Sequence, residues 1–245
     1  MGQVLAVISG KGGTGKTTLC AGIAACLAAE GQRVLCIDCD IGLRNLDISL
    51  GMTELCSVAF TDVMAGRYAL SDATPHPSIP NLFLLTAPVC LTEAQIDAAA
   101  FAALLDRVRA EFDWCLIDAA AGIGPAFRLA TDSADRVLVV STPDPASMRD
   151  AAHTAGLLPA RLSGCAQLVV NRIRPKMFSR MRLTVDDMMD SVGLPLLGVV
   201  PEDSAVVLAA ASGQALILYS DRNASRACLH IARRLCGRKM PLLKL

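Results

Sequence analysis

The sequence has no excess of charge of either sign, because 23 basic side chains are matched by 23 acidic ones. A neutral chain produces no long-range field that attracts an anionic partner, so nucleic acid is not expected to bind it. Polar residues interrupt every window of about 18 residues, which argues against a membrane-spanning helix. No basic segment with a cleavage site precedes the first apolar run, so no secretory signal is expected and the cytoplasm is the predicted compartment.

Linkers rich in Pro, Gly and Ser are also lacking, as are low-complexity runs. We therefore expect a single domain over residues 1–236, followed by a short basic and apolar tail over residues 237–245. Among the ten cysteines, Cys36 and Cys39 have the spacing of a redox or metal motif. They fall in an apparent strand, where residues three apart point to opposite faces. This placement favours two core cysteines over a metal site.

What the sequence does contain is a series of short runs rich in Val, Ile and Leu, separated by helical stretches. The runs occupy residues 4–9, 33–38, 81–86, 114–118, 136–141, 167–171 and 195–200. Continuous apolar runs are typical of strands that are buried on both faces. Strand, crossover and strand in repetition predict an α/β fold: a doubly wound, mostly parallel sheet with helices on both faces. Ligands of such sheets bind at the carboxyl ends of the strands.

Three helices are readable from their end signals. The first is predicted over residues 16–30 and ends at Gly31, and another over residues 184–192 ends at Gly193. A third is predicted over residues 92–110, with Thr92 and Gln95 as a capping box.

Residues 10–17 match the phosphate-binding loop G-x-x-x-x-G-K-[ST], directly after a predicted strand and at the start of a predicted helix. Backbone N–H groups of such a loop surround phosphates, and the helix dipole adds positive potential. Lys16 is expected to contact the β and γ phosphate oxygens, and Thr17 to give its hydroxyl to Mg²⁺. This motif predicts a P-loop nucleotide hydrolase.

Carboxylates follow two of the predicted strands. Asp118 is expected to hold Mg²⁺ through water, and either Asp38 or Asp40 to orient the attacking water. A carboxylate in this position also serves as a helix cap, so each residue alone has two interpretations. Asn171 ends another strand, where an amide either reads the adenine edge or simply terminates the strand. His76, His153 and His230 are too far apart to suggest a metal site, so no metal beyond Mg²⁺ is implied.

A second lysine, Lys11, precedes the glycine pair of the loop. The resulting form K-G-G-x-G-K-T resembles the loop of the MinD/ParA family of ATPases, in which this lysine reaches the nucleotide of the partner subunit. The resemblance implies ATP as substrate and a homodimer that encloses two ATP molecules. A cation supplied across an interface stabilises transition-state charge in the manner of an arginine finger. Hydrolysis would then require dimerisation.

The resemblance extends from residue 1 to about residue 240 and is strongest to the branch that places the division site. It is carried by residues 38–52, 118–124, 147–153, 169–175 and 198–203. By position, it implies the phosphate and Mg²⁺ residues Gly12, Gly13, Thr14, Gly15, Lys16, Thr17 and Thr18. It also implies that Asp40 positions the water and joins Asp118 and Thr17 at the metal, and that Asn171, Pro201 and Asp203 flank adenine. Arg44, Asn45, Arg149 and Asp150 would face MinC-like and MinE-like partners.

Two departures from the family pattern affect these expectations. The second switch segment follows Asp118 and has Ala119, Ala120 and Ala121, where the family usually has Ser or Thr, then Pro, then Ala. The loss of a hydroxyl and a proline predicts that hydrolysis is slow or differently regulated. The tail is too short for a stable amphipathic helix, which needs about 12 residues. Residues 226–245 have no acidic side chain and carry six basic ones, at Arg226, Arg233, Arg234, Arg238, Lys239 and Lys244. These leave open a peripheral membrane contact or a solvated helix face.

Together these observations predict a Mg²⁺-dependent ATPase that dimerises with ATP and positions the division site. The alternative is a nucleotide-gated protein with weak hydrolysis that recruits a partner or partitions DNA, as ParA relatives do. One lineage of the family builds a 4Fe–4S cluster between its subunits. Cys90 follows a strand, but its surroundings do not resemble that lineage.

Overall fold

The computed structural model describes residues 1–89 and 95–243, and within them eight β-strands form one sheet. The strands are β1 (Gln3–Ile8), β2 (Val34–Cys39), β3 (Thr74–Pro75), β4 (Leu82–Leu85), β5 (Trp114–Ala119), β6 (Arg136–Ser141), β7 (Ala166–Ile173) and β8 (Leu196–Pro201). The helices are α1 (Lys16–Ala29), α2 (Leu46–Leu50), α3 (Phe60–Met64), α4 (Ala98–Glu111), α5 (Pro125–Ser133), α6 (Pro145–Gly156), α7 (Pro175–Arg180), α8 (Val185–Val192), α9 (Ser204–Ala211), α10 (Leu216–Tyr219) and α11 (Asn223–Leu235).

The sheet order is β3-β4-β2-β5-β1-β6-β7-β8, and only β3 runs antiparallel among these described strands. β1 lies between β5 and β6, and the chain passes from one half of the sheet to the other between those two strands. Because parallel strands end at the same edge, the residues that follow β1, β2, β5, β7 and β8 meet there. The predicted doubly wound sheet is confirmed.

Two apolar cores cover the two faces of the sheet. Alternate residues of β1 divide between them, with Leu5 and Val7 in one and Val4, Ala6 and Ile8 in the other. The first core is closed by α1, α2 and α9 to α11, and the second by α3 to α6 and α8. Cys36 and Cys39 lie in different cores, both without solvent exposure, as their spacing predicts.

The strand predictions agree with the structure to within two residues at each end, but β3 was missed because a two-residue strand has no periodic signal. Gly31 and Gly193 follow their helices with φ of 89° and 74°, as predicted. The helix predicted from Thr92 is wrong at its start. It begins at Ala98, where the Asp97 carboxylate accepts a hydrogen bond from Ala99 N at 2.9 Å. Thr92 and Cys90 lie outside the described residues.

The tail folds back along the outer strand β8. The guanidinium of Arg234 donates to Leu197 O on that strand at 2.7 Å and to Met240 O in the tail at 2.6 Å. Arg233 and Arg238 both pair with Glu30, at 2.8 and 2.6 Å. The single Glu30 carboxylate offsets one of the positive charges predicted over residues 226–245, of which Lys244 lies outside the described residues.

Candidate nucleotide-binding site

The phosphate loop connects β1 to α1, and its glycines are required by its geometry. Gly13 and Gly15 adopt φ of 79° and 85°, a left-handed conformation that is strained for residues with a side chain. A Cβ atom at Gly15 would also lie 2.3 Å from Asn171 Nδ2. The loop therefore leads directly into the N-terminus of α1, and the N-terminus of a helix favours anions.

Lys16 and Asp118 form a buried ion pair beneath this loop. Their side chains are 6% and 1% exposed. Burial raises the pKa of Asp118, and the ammonium group of Lys16 opposes that rise. Within the described part of the chain, Asp118 Oδ2 and Thr14 Oγ1 are buried without a hydrogen-bond partner. The Thr17 hydroxyl lies 3.4 Å from Lys16 Nζ.

These oxygens fit the requirements of Mg²⁺, a hard cation that prefers carboxylate, hydroxyl and water oxygens. Thr17 and Asp118 lie together at the loop, with one carboxylate oxygen of Asp118 unpartnered. Lys16 donates to Asp118, and its ammonium group has three N–H donors, so it can also bond a phosphate oxygen. The donor set therefore suits a magnesium nucleotide.

The structure separates the roles of the two carboxylates that follow β2. Asp38 is buried and accepts hydrogen bonds from Asp40 N at 2.9 Å and Leu46 N at 3.1 Å. It thereby holds the segment between β2 and α2. Asp40 is only partly buried, and one of its carboxylate oxygens accepts from Leu43 N at 3.3 Å. Of the two residues, Asp40 is the one accessible to a water molecule.

Asp38 is also expected to make stability depend on pH. Burial first, and then the Asp118 carboxylate, raise the pKa of Asp38 from 3.8 to about 7. A folded-state pKa above the unfolded value gives stability that is complete below about pH 4 and lost as the pH rises through 7. From about pH 6 to about pH 8, the Asp38 contribution to the free energy of unfolding should fall by about 1 kcal/mol.

Urea denaturation of wild type and Asp38→Asn at both pH values measures this difference. Asp38→Asn is expected to be less stable at the lower pH, because an amide accepts only one of the two backbone hydrogen bonds. Its stability should change less with pH than that of wild type. Equal pH slopes for both proteins would contradict the assignment.

A cleft of about 720 Å³ continues from the phosphate loop toward the end of β8. Asn171, Pro201 and Asp203 all line it, as do Gly13, Gly15 and Thr18. The Asn171 amide donates to Thr14 O at 2.8 Å, which fixes its orientation. Asp203 accepts from Ala205 N and Ala224 N at 2.9 and 3.2 Å, so it joins α9 to α11 at the cleft wall.

Other cleft residues were missed by the sequence reasoning. Arg172 of β7 lines the cleft beside Asn171, and its charge opposite that of Glu202, in the predicted turn 201–203, was a usable signal. Val207, Leu216 and Cys228 line it as well. No sequence pattern marks these three, because their place depends on how α9, α10 and α11 pack against β8.

Lys11 is not among the residues that line the cleft. Its ammonium group lies 3.6 Å from Asp144 at the start of α6, and both side chains are 47% exposed. The partner-facing residues implied by the resemblance lie apart from the cleft lining. Asn45 and Arg149 are exposed, whereas Arg44 and Asp150 are partly buried. Ala119 is buried at the end of β5, and Gly122 N, just beyond the alanine run, donates to Ser9 O at 2.9 Å.

Comparison with known proteins agrees with this geometry. Residues 5–217 match the CobQ/CobB/MinD/ParA nucleotide binding domain. The septum site-determining protein MinD of Synechocystis is 36% identical, over 99% of this chain and 92% of that protein. The chain belongs to the MinD family.

Solved structures of the MinD family have the same fold. The MinC:MinD cell division protein complex of Aquifex aeolicus includes a chain that is 34% identical, with a TM-score of 0.90 and 99% of both chains covered. MinD of Pyrococcus horikoshii complexed with Mg-ADP is 26% identical, with a TM-score of 0.81 and 96% of both chains covered. The family resemblance carried by the loop motif is thus confirmed over nearly the whole chain.

Proposed function

We propose that this protein is a MinD-like ATPase that hydrolyses ATP with Mg²⁺ and acts as a dimerisation switch in placing the division site. The observation that carries the proposal is the phosphate loop with two lysines in different environments. Lys16 is buried with Asp118 beneath the loop, whereas Lys11 lies at the surface beside Asp144. Identity of 36% to a MinD relative favours division-site placement over DNA partitioning.

Within one subunit, the residues divide the work by position. The loop residues hold the phosphates; they are Gly12, Gly13, Thr14, Gly15, Lys16, Thr17 and Thr18. Thr17, Asp118 and Asp40 serve Mg²⁺, which neutralises charge on the β and γ phosphate oxygens when it is bound. Asp40 orients the attacking water, and Asn171, Pro201 and Asp203 border the adenine.

Lys11 acts in the partner subunit. Its exposed ammonium group stabilises negative charge on the other subunit's ATP, so the two active sites are completed only in the dimer. In this arrangement the dimer forms with ATP and lasts until the ATP is hydrolysed, so the rate of hydrolysis sets the lifetime of the dimer. Ala119 and Ala120 replace the usual hydroxyl and proline of the second switch, and we expect the basal rate to be slow for that reason.

Partner binding follows from the same switch. The Aquifex relative is found in a complex with MinC, and we propose that a MinC-like protein binds this chain in its ATP-bound dimer. Arg44, Asn45, Arg149 and Asp150 are the proposed contacts for MinC-like and MinE-like partners. Exposed Asn45 and Arg149 are available to a partner without rearrangement.

We further propose a cytoplasmic protein that binds the inner membrane surface when ATP is present. No helix among residues 1–89 and 95–243 is long and apolar enough to cross a membrane. Membrane contact would therefore depend on the tail and on doubling of its charge in a dimer. Arg226 and Lys239 form no ion pair within the described residues and remain to supply that charge.

Co-sedimentation with anionic liposomes tests the switch and its output together. We expect pelleting with Mg-ATP but not with ADP, and a molar mass by light scattering that doubles with ATP. Because the contact is largely electrostatic, moderate salt should weaken it. Neutral liposomes serve as the control. If the protein dimerises with ATP but never pellets, the proposed membrane binding is wrong. If its molar mass is the same with and without ATP, the proposed dimerisation switch is wrong.

A further inference from the structure

A β-bulge in β7 places two consecutive side chains in the nucleotide cleft. Val170 pairs with Val199 and Ile173 with Pro201, so β7 advances three residues where β8 advances two. Arg172 within this bulge has φ of 57°, an uncommon conformation for a residue with a long side chain. Neighbours in a regular strand point to opposite faces, but a bulge redirects side chains. Asn171 and Arg172 accordingly both line the cleft.

These two side chains hold consecutive carbonyl groups of the phosphate loop. The Asn171 amide donates to Thr14 O at 2.8 Å, and Arg172 Nη1 donates to Gly13 O at 3.2 Å. In a trans peptide, the carbonyl and the following N–H point in opposite directions. Drawing the carbonyls of Gly13 and Thr14 toward β7 therefore turns the N–H groups of Thr14 and Gly15 away from that strand.

Arg172 also reaches the loop that follows the neighbouring strand β8. Its Nη2 atom donates to Glu202 Oε1 at 3.0 Å, and Arg174 donates to the other oxygen of the same carboxylate. The Arg174 guanidinium first, and Arg172 second, lower the pKa of Glu202 to about 2. Glu202 N is in turn bonded to Ile173 O at 2.9 Å. One guanidinium thus connects the phosphate loop to the loop that follows β8.

We propose that Arg172 is a positioning residue that holds the phosphate loop in its anion-binding form. The inference rests on the proposed function, since it concerns the same nucleotide site. Arg172 acts on the backbone of Gly13 and not on the nucleotide itself. Its effect should therefore be seen with any ligand that carries the phosphate chain, whether or not adenine is attached.

The variant Arg172→Gly isolates the side chain, because glycine adopts positive φ without strain and keeps the bulge. Arg174→Ala is the matched control. Arg174 pairs with Glu202 as Arg172 does, but Gly13 O accepts from Arg172 and not from Arg174. Calorimetric titration of wild type and both variants with Mg-ATP and with inorganic tripolyphosphate measures the effect, and thermal unfolding without ligand measures stability.

Arg172→Gly should weaken both ligands by a similar factor of about ten, the effect of losing one charged hydrogen bond. Its melting temperature should stay the same or rise, since the strained backbone is relieved. Arg174→Ala should bind both ligands as wild type does. A general loss of structure would lower both the affinity and the melting temperature. A lower affinity with an unchanged or higher melting temperature is therefore specific to the lost contact.

Three results would overturn the inference. In the first, Arg172→Gly binds both ligands as tightly as wild type does. In the second, it binds ATP more weakly but tripolyphosphate as tightly as wild type. In the third, Arg174→Ala loses as much affinity as Arg172→Gly. The second would place Arg172 at the base, and the third would assign the effect to the Glu202 ion pairs. Failure of the wild type to bind Mg-ATP would instead contradict the proposed function.

Discussion

Lys11→Ala is expected to abolish ATP hydrolysis while leaving most of the affinity for Mg-ATP intact. The Lys11 ammonium group lies beside Asp144 at the surface and takes no part in the buried contacts of its own phosphate loop. Binding within one subunit should therefore change by no more than a few fold. A cation that stabilises transition-state phosphate charge contributes about 10³-fold or more to the rate. Single-turnover hydrolysis and equilibrium ATP binding measure the two quantities separately.

Mixing subunits tests whether Lys11 acts across the interface. Lys11→Ala and Asp40→Ala should each be inactive alone, because each lacks one component of both sites in its homodimer. In the mixed dimer, the Lys11→Ala subunit keeps its own Asp40 and receives Lys11 from the other subunit. One site of each mixed dimer is then complete, and hydrolysis should return to a substantial fraction of the wild-type rate. A mixture as inactive as its components would contradict action in trans.

Lys16→Ala is expected to lose ATP binding and also to destabilise the fold. Sequence reasoning predicts only the first effect, since it places Lys16 on phosphate oxygens. The structure adds the second, because Asp118 would remain as a buried carboxylate without its partner. Removing one member of a buried ion pair lowers the free energy of unfolding by about 3–5 kcal/mol. Urea denaturation without nucleotide measures this loss.

A second substitution separates the two effects. Lys16→Ala combined with Asp118→Asn removes the unpaired charge, so the double variant should recover most of the lost stability. It should still fail to bind Mg-ATP, because no cation has been restored. If Lys16→Ala alone unfolds at the same urea concentration as wild type, the buried pair does not support the fold.

The loop and the strand ends were readable from sequence because their signals are local. Residues 10–17 form a contiguous motif, and Asp118 and Asn171 each end an apolar run. A parallel sheet brings such ends to one edge, so their assembly follows from topology alone. The prediction that Cys36 and Cys39 belong to opposite faces succeeded for the same reason, since it needs only the period of a strand.

Other features depend on contacts between distant parts of the chain and were not predictable. The partners Lys16 and Asp118 are 102 residues apart, and Arg238 and Glu30 are 208 residues apart. The strand pattern left Asp38 and Asp40 as alternatives and the family resemblance chose Asp40, but the backbone hydrogen bonds that give Asp38 a structural role were not predictable. The bulge at Arg172 contains no glycine, so the sequence gives no signal for its positive φ. The pairing of Arg233 and Arg238 with Glu30 was not predicted, because Glu30 lies far away in sequence.

The tail that lies along β8 has a consequence for how the protein associates with itself. An outer strand normally exposes a row of unpaired backbone groups, which can pair with a strand of another molecule and begin aggregation. Here Arg234 donates a hydrogen bond to Leu197 O on that strand, and Leu242 and Leu243 of the tail lie beside residues 197–199. At the opposite end of the sheet, the two residues of β3 offer little length for pairing. The proposed reversible association through the nucleotide face is thus not accompanied by two long open sheet edges.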